Sequence, residues 1–342
     1  MLGPPATPPD SPRARLEWAA GVTKAYGGPA SSSTGEPVFS SLPALTEALD
    51  WAVREGSRED VVMALPVADV LGAAWERMGE HTDARVRLDS VLAAANRAGL
   101  RNDLAVARVL RRRARLAMGA RIPLEADEDL QRAYTIAATQ DDRLTLQLVL
   151  DRADLAMHRG AWELANEVIP ELLRRTQESG DPLLQAMGLN RAGWGAFGQG
   201  EHELAQQRYE KAWALADLHE DPVVEARTAA GLGLLSMLRD EPEQSRVFWR
   251  RALELADLVH DRAFTLHCLD GVAALLVLTQ SDVDGARLSA SASAVRDSLR
   301  HGREEAMLPL HDLVLRHTTE AVEPWTYAEA VAFARTVVGA ST

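Results

Sequence analysis

Cysteine is almost missing: Cys268 stands alone in 342 residues. That excludes a disulfide framework and any paired-cysteine metal site, and it fits a reducing compartment. Lysine is nearly as scarce. Lys24 and Lys211 are the two present, and arginine supplies the rest of the 37 basic residues, a bias that points to a GC-rich, bacterial genome. Aromatics make up only 5%. Basic charge is in deficit against 50 acidic residues, and the net charge of −13 argues against a chain that grips nucleic acid over its whole surface. Long apolar runs are missing too. The longest, around residues 272–278, is far short of the roughly 18–20 residues that span a bilayer. The opening MLGPPATPPDSPRAR carries no apolar signal-peptide core, so the expectation is a soluble, cytoplasmic protein with no membrane partner.

What is present is helical. The hydrophobic share of 46% excludes disorder for most of the chain. Residues 1–41 are rich in Pro, Gly and Ser with one short helical pattern. From residue 42 onward Ala, Leu, Arg and Glu dominate, and the alternation of a strand is absent. Breaks recur at a fixed interval. Asp141, Asp181, Asp221 and Asp261 lie 40 residues apart, each suited to cap a helix, and Asp181 and Asp221 precede a proline that fits the first helical position. Midway between them fall Gly160, Gly200, Asp240 and Gln280. Each 40-residue unit therefore reads as two antiparallel helices, A and B, and the breaks are expected near residues 140, 160, 180, 200, 220, 240 and 260. This is the pattern of an all-α solenoid of about six helix pairs, expected to wind as a right-handed superhelix. The expected organisation is 1–41 as an N-terminal segment, 42–300 as repeats and 301–342 as capping helices.

Small residues fall in register: Gly193, Gly200, Ala205, Tyr209 and Ala212, then Gly233, Asp240, Ser245, Trp249 and Ala252 forty residues on. A small residue in each helix lets the backbones approach, and the large one fills the gap to the next unit. Ala205 and Ala212 are expected to be buried at that contact. The pattern resembles the tetratricopeptide (TPR) repeat, lengthened from its basic 34 residues. More narrowly, residues 41–92, with Trp75 and Gly79, and residues 323–338 resemble the TPR sensor region of large bacterial regulators of the MalT-like and SARP types. The resemblance implies signal sensing or scaffolding in transcriptional regulation. The phosphate loop of the family's ATPase and a helix-turn-helix segment are both missing from this sequence. The chain is thus either a stand-alone TPR protein or a sensor portion whose effector modules are separate.

No catalytic constellation stands out. Cys268 and His267 are sequence neighbours, which on a helix point about 100° apart and make a poor nucleophile–base pair. His260, His267 and Asp270 lack a metal-binding spacing. Neither a metal nor a cofactor is expected, and a non-enzymatic role is. Binding is the better reading. In a TPR unit helix A lines the concave face, and the repeat frame assigns Arg108, Arg111, Arg115, Met157, Met187, Asn190, Trp194, Phe197, Arg227 and Met237 to a groove. Arg108, Arg111, Arg112 and Arg115 would form a basic stripe, and Met157, Met187, Trp194, Phe197, Leu234 and Met237 an apolar floor for a peptide, a protein segment or a small effector with an acidic group. Two alternatives stand beside this. In one the arginines meet neighbouring carboxylates such as Asp69 and Asp154, and in the other the Met and aromatic residues are packing between repeats. A rival function is an assembly module that oligomerises through a convex or terminal face, for which Trp162, Trp213 and Trp249 would have to cluster outside the core.

Overall fold

The structure, a computed structural model, describes residues 7–26, 36–279, 281–302, 307–318 and 322–339. Among them every regular element is helical and none is a strand. In chain order the helices are α1 (Pro12–Tyr26), α2 (Glu36–Ser40), α3 (Leu42–Glu55), α4 (Arg58–Met78), α5 (His81–Arg97), α6 (Leu104–Gly119), α7 (Pro123–Ala137), α8 (Asp142–His158), α9 (Trp162–Glu178), α10 (Pro182–Gly198), α11 (His202–Leu218), α12 (Pro222–Leu238), α13 (Pro242–Leu258), α14 (Arg262–Leu278), α15 (Asp282–Leu299), α16 (Leu308–His317) and α17 (Tyr327–Gly339). Six A/B pairs run from α4–α5 to α14–α15, as the 40-residue period predicts. None of the described helices is long and apolar enough to cross a membrane.

The caps fall where the punctuation places them. The Asp181 carboxylate accepts from the backbone N–H of Leu183 and Leu184 at 3.0 and 3.2 Å, and Asp221 accepts from Val223 and Val224 at 3.0 and 2.9 Å. Asp141 and Asp261 each accept from the residue three further on, Leu144 and Phe264, at 2.9 Å. Pro182 and Pro222 stand in the first turns of α10 and α12, where a missing N–H costs nothing. At the other ends the chain turns through the left-handed region every twenty residues: Gly160, Gly180, Gly200, Glu220, Asp240 and His260 all have φ between 52° and 78°. Gln280 lies outside the described residues. Glu220, at φ 52°, stands where Gly180 stands one unit earlier, and a β-carbon is disfavoured there. Glu220→Gly is therefore expected to raise stability by about 1 kcal/mol, read as a higher urea midpoint at unchanged slope.

The chain divides into two compact units, residues 1–152 and 153–342, with α8 running across the division. In the first, α1 packs on α3 and α4, and helices pair successively through α7. In the second, α10 packs on α11, α12 on α13 and α14 on α15, while α16 lies on α14 and α15, and α17 contacts α13, α14 and α15. Two arginines of α13 hold the end of α17: Arg246 and Arg250 donate to the backbone carbonyls of Val337 and Val338 at 2.7 and 2.6 Å, where the helix dipole favours a cation.

Packing within the repeats follows the small residues. Ala205 and Ala212 are fully buried, as expected. Tyr209 is held between two glycines. A β-carbon added at Gly193 would come within 2.7 Å of its ring, and one added at Gly231 within 2.4 Å. Forty residues on, Trp249 repeats the arrangement between Gly233 and Gly271. Each large helix-B residue thus fills the space between the A helix of its own pair and the A helix of the next.

Candidate functional site

In unit 1 the basic stripe on α6 is matched with carboxylates. Arg108 pairs with Asp141 at 3.0 Å, Arg112 with Asp69 at 2.7 Å, and Arg115 with Glu76 at 2.6 Å and Asp151 at 2.6 Å. Arg111 is buried and binds Asp151, a residue forty further along the chain and so nearly in the same position of the next unit. Burial alone would push the Asp151 carboxyl up, but Arg111 and Arg115 together hold it below the ordinary value. His81 lies close by, its ring against Gly119, and burial lowers its pKa to about 4 with Arg115 adding to the effect. Of the two readings of the stripe, pairing with neighbouring units is the one this geometry realises. Of the two carboxylates expected, Asp69 takes Arg112, while Asp154 takes Arg191 at 3.1 Å. Asp151, the hub of the network, was not foreseen. The 40-residue period was the signal that pointed to it.

In unit 2 the helix-A residues split between interior and surface. Met157 packs with Ala165, Ile169 and Ala192. Met237 and Leu234 lie in the large core with Trp249 and Leu269. Asn190 is buried and donates to the Thr228 hydroxyl at 3.2 Å. These side chains belong to the packing between repeats rather than to an open floor. Met187 is half-buried beside Ala186, Ala216 and Val224.

Trp194 and Phe197, one turn apart on α10, remain half-buried and stack at 5.6 Å with their planes only 10° apart. Trp194 reaches beyond the core containing Ala230 of α12 to the His267 ring of α14, at 5.9 Å. His267 stacks in turn on Phe264 at 5.2 Å. The guanidinium of Arg227 sits over Phe264 at 5.1 Å and bonds Asp261 at 3.2 Å. At the far end His202 tilts against Phe197 at 5.9 Å. The result is one aromatic array, His202–Phe197–Trp194–His267–Phe264–Arg227, drawn from four helices and the capping turn of a fifth position, Asp261. Ala230 of α12 belongs to the core against which Trp194 packs. Phe264 and His202 were missed in the sequence, although Phe264 lies one turn before His267 on the same helix. His267 and Phe264 are buried, so the part of the array that reaches solvent is the half-buried Trp194, Phe197, His202 and Arg227: π faces, apolar edges and one cation, a surface suited to side chains of a peptide.

The remaining candidates are structural. Cys268 is fully buried, and burial pushes its thiol well up, away from nucleophilic form. Asp270 pairs with Arg296 at 2.6 Å, both buried. The tryptophans proposed as an outer cluster do not form one: Trp249 is fully buried, Trp162 packs beside Met157 and Ile169, and Trp213 packs edge-on against Phe248 at 5.7 Å. The condition that the assembly reading required is therefore not met, because Trp249 occupies the core position that Tyr209 occupies one unit earlier.

No family model matches the chain, and no curated protein matches it. Solved structures do. The Rap conjugation gene regulator of plasmid pLS20, in complex with the Phr* peptide, superposes with a TM-score of 0.58 at 10% identity, covering 96% of this chain and 93% of that one. A Rap protein complexed with Competence and Sporulation Factor gives 0.53 at 10% identity over 94% and 93%. The apo form of RapI gives 0.51 at 12% identity over 90% and 87%. The fold is a TPR-like α-solenoid. At these identities the likeness speaks for the fold alone, and the TPR-like frame is what gives the helix-A array its place.

Proposed function

We propose that this chain is a non-enzymatic TPR-like scaffold that binds a peptide or protein segment on the helix-A face of unit 2, in a bacterial regulatory role. The observation that carries the reading is the stacked, half-buried Trp194–Phe197 pair, flanked by His267, Phe264 and Arg227. Side chains needed only for packing bury themselves, as Met157 and Met237 do. A stacked pair left partly in water at the helix-A face is positioned for a partner. Arg227 is the cation beside it, so a segment with an apolar anchor and an acidic group fits this place. The Phr* peptide held by the solved Rap regulator, and the resemblance of residues 41–92 to TPR sensor regions, support the same reading.

The test selects a binding peptide from a display library on the full chain and titrates it by tryptophan fluorescence. Trp194→Ala is expected to weaken binding about 30-fold, or about 2 kcal/mol. The cost in folding stability should fall short of the roughly 3–5 kcal/mol of a fully buried tryptophan. A full-sized stability loss, together with unchanged peptide affinity in Trp194→Phe, would make the residue part of the core and end the reading.

A further inference from the structure

The last helix of the chain departs from the repeat order. α16 lies on α14 and α15, as a seventh A helix would, but α17 turns back into the groove between the B helices α13 and α15, over α14. One face of α13 meets it, at residues 246, 250, 253 and 257, three or four apart. Arg246 and Arg250 donate to the carbonyls of Val337 and Val338, and Asp257 pairs with Arg335 at 2.8 Å. Leu253 shares one core with Ala330, Ala334 and Val338 of α17. On the other wall the Ser291 hydroxyl accepts from the Trp325 N–H at 2.9 Å, and the Arg287 guanidinium lies over the Trp325 ring at 5.2 Å. Leu288 between them is fully buried.

Among the described residues no helix takes the place of α17 one unit earlier, between α11 and α13. Forty residues back, the same positions are Gln206, Glu210, Trp213 and Asp217 on α11, and Val247, Phe248 and Arg251 on α13. Burial follows the covering helix rather than the residue type. Leu173 on α9 and Trp213 on α11 are half-buried, whereas Leu253, at the same position beside α17, is 1% exposed. Phe248 is half-buried where Leu288 is buried. Trp213 and Phe248 meet edge-on at 5.7 Å, and Val247 beside them is 52% exposed.

Charge separates the two grooves. Where Arg246 and Arg250 receive the carbonyl end of α17, the open groove has Gln206 and Glu210. A helix C-terminus laid there would meet a carboxylate, so α17 of a second copy does not suit it. Glu210 and Asp217 are exposed one turn to either side of Trp213, and Glu254 is exposed on α13. The one guanidinium of these walls, Arg251, already binds Glu225 at 2.6 and 3.0 Å, with Glu254 and Asp217 near enough to reinforce its charge. Carboxylates therefore remain in excess around an apolar pair.

We propose that the α11–α13 groove docks an amphipathic helix of a partner protein, with small apolar residues against Trp213 and Phe248 and basic side chains toward Glu210, Asp217 and Glu254. The site uses the B-helix side of unit 2 and none of the aromatic array, so it stands or falls independently of the peptide reading.

The probe is a fluorescein-labelled helical peptide of about 18 residues, with Ala and Leu at i, i+4 spacing on one face and Lys on the other. It is titrated into the full chain by anisotropy, beside one peptide with Glu in place of Lys and one with Ser in place of the Ala and Leu. The expected result is saturable one-to-one binding of the first peptide alone, with amide exchange slowed in α11 and α13 but not in α10. Trp213→Ala and Phe248→Ala should each weaken binding about tenfold or more. Glu210→Lys and Asp217→Lys, on exposed side chains, should each weaken it about fivefold with an unchanged thermal melt. Glu163→Lys, on an exposed glutamate of α9, should leave it intact, as should Trp194→Ala. The proposal is overturned by absence of saturable binding, by the serine peptide binding as tightly, or by equal losses in Glu163→Lys and Asp217→Lys. A concentration-dependent dimer of the chain that Trp213→Ala abolishes would also overturn it, by making a second copy the occupant.

Discussion

Replacing Asp151 with alanine is expected to remove roughly 3–5 kcal/mol of folding stability, the cost of stranding a buried charge. Asp151 is 1% exposed and accepts from both Arg111 and Arg115. Arg111 is itself buried, and burial lowers its pKa while Asp151 works against that. Remove the carboxylate and three arginines of α6, Arg111, Arg112 and Arg115, face one another with Asp69 and Glu76 left to balance them. Arg115 keeps Glu76, and Arg112 keeps Asp69. Arg111 would keep only the Gln147 side-chain oxygen, at 3.3 Å. Asp151→Asn keeps the shape and loses the charge, and should fall between wild type and alanine. An apolar double replacement, Arg111→Met with Asp151→Leu, should recover much of the loss, because desolvating the pair offsets most of its attraction. Urea denaturation of the four proteins measures all of this. A loss under about 1 kcal/mol in Asp151→Ala is what an exposed pair would give, and it would refute the buried network.

The repeat frame was legible in the sequence because its determinants are local. An aspartate that caps a helix, a proline in the first turn and a residue in the left-handed turn act within four residues of themselves, so Asp181, Pro182 and Gly200 announce their roles without reference to the rest of the chain. The burial of Ala205 and Ala212 follows from the same frame, since small residues at matched positions mark where backbones meet. The candidate site was legible only in part. The frame correctly sets Trp194, Phe197 and Arg227 on helix A, but it treats every unit alike. It cannot tell that Met157 and Met237 turn into the core while Trp194 stays half in water. That outcome depends on neighbours on the following A helices, such as Ala230 of the core against which the indole packs and the His267 ring that it meets at 5.9 Å. The arginine stripe shows the same limit. Arg111 and Asp151 are neighbours because of the 40-residue period, and side-chain length and rotamer decided which carboxylate each guanidinium took.

The deepest test of the repeat packing is Trp249. It is fully buried, and its indole lies between Gly233 at 3.1 Å and Gly271 at 2.1 Å, measured to the β-carbon that each glycine lacks. Trp249→Ala is expected to cost about 3–5 kcal/mol, with the upper end favoured where two rigid helices cannot collapse into the cavity. The indole N–H finds no acceptor among the described residues, so shape rather than hydrogen bonding accounts for the tryptophan. Gly271→Ala approaches the same contact from the other side. Its added methyl meets the ring at a distance no packed carbon tolerates, and roughly 1–3 kcal/mol or more should be lost to overpacking. The two changes are coupled through one volume. Trp249→Phe removes the benzo ring that Gly271 abuts, so Gly271→Ala should cost markedly less in the Trp249→Phe background than in wild type. A double-mutant cycle by urea denaturation should give an interaction of about 1 kcal/mol or more in the favourable sense. Strict additivity would mean that α12, α13 and α14 do not close on this ring, and that the glycine pair recurring at Gly193 and Gly231 around Tyr209 is not what sets the spacing of the units.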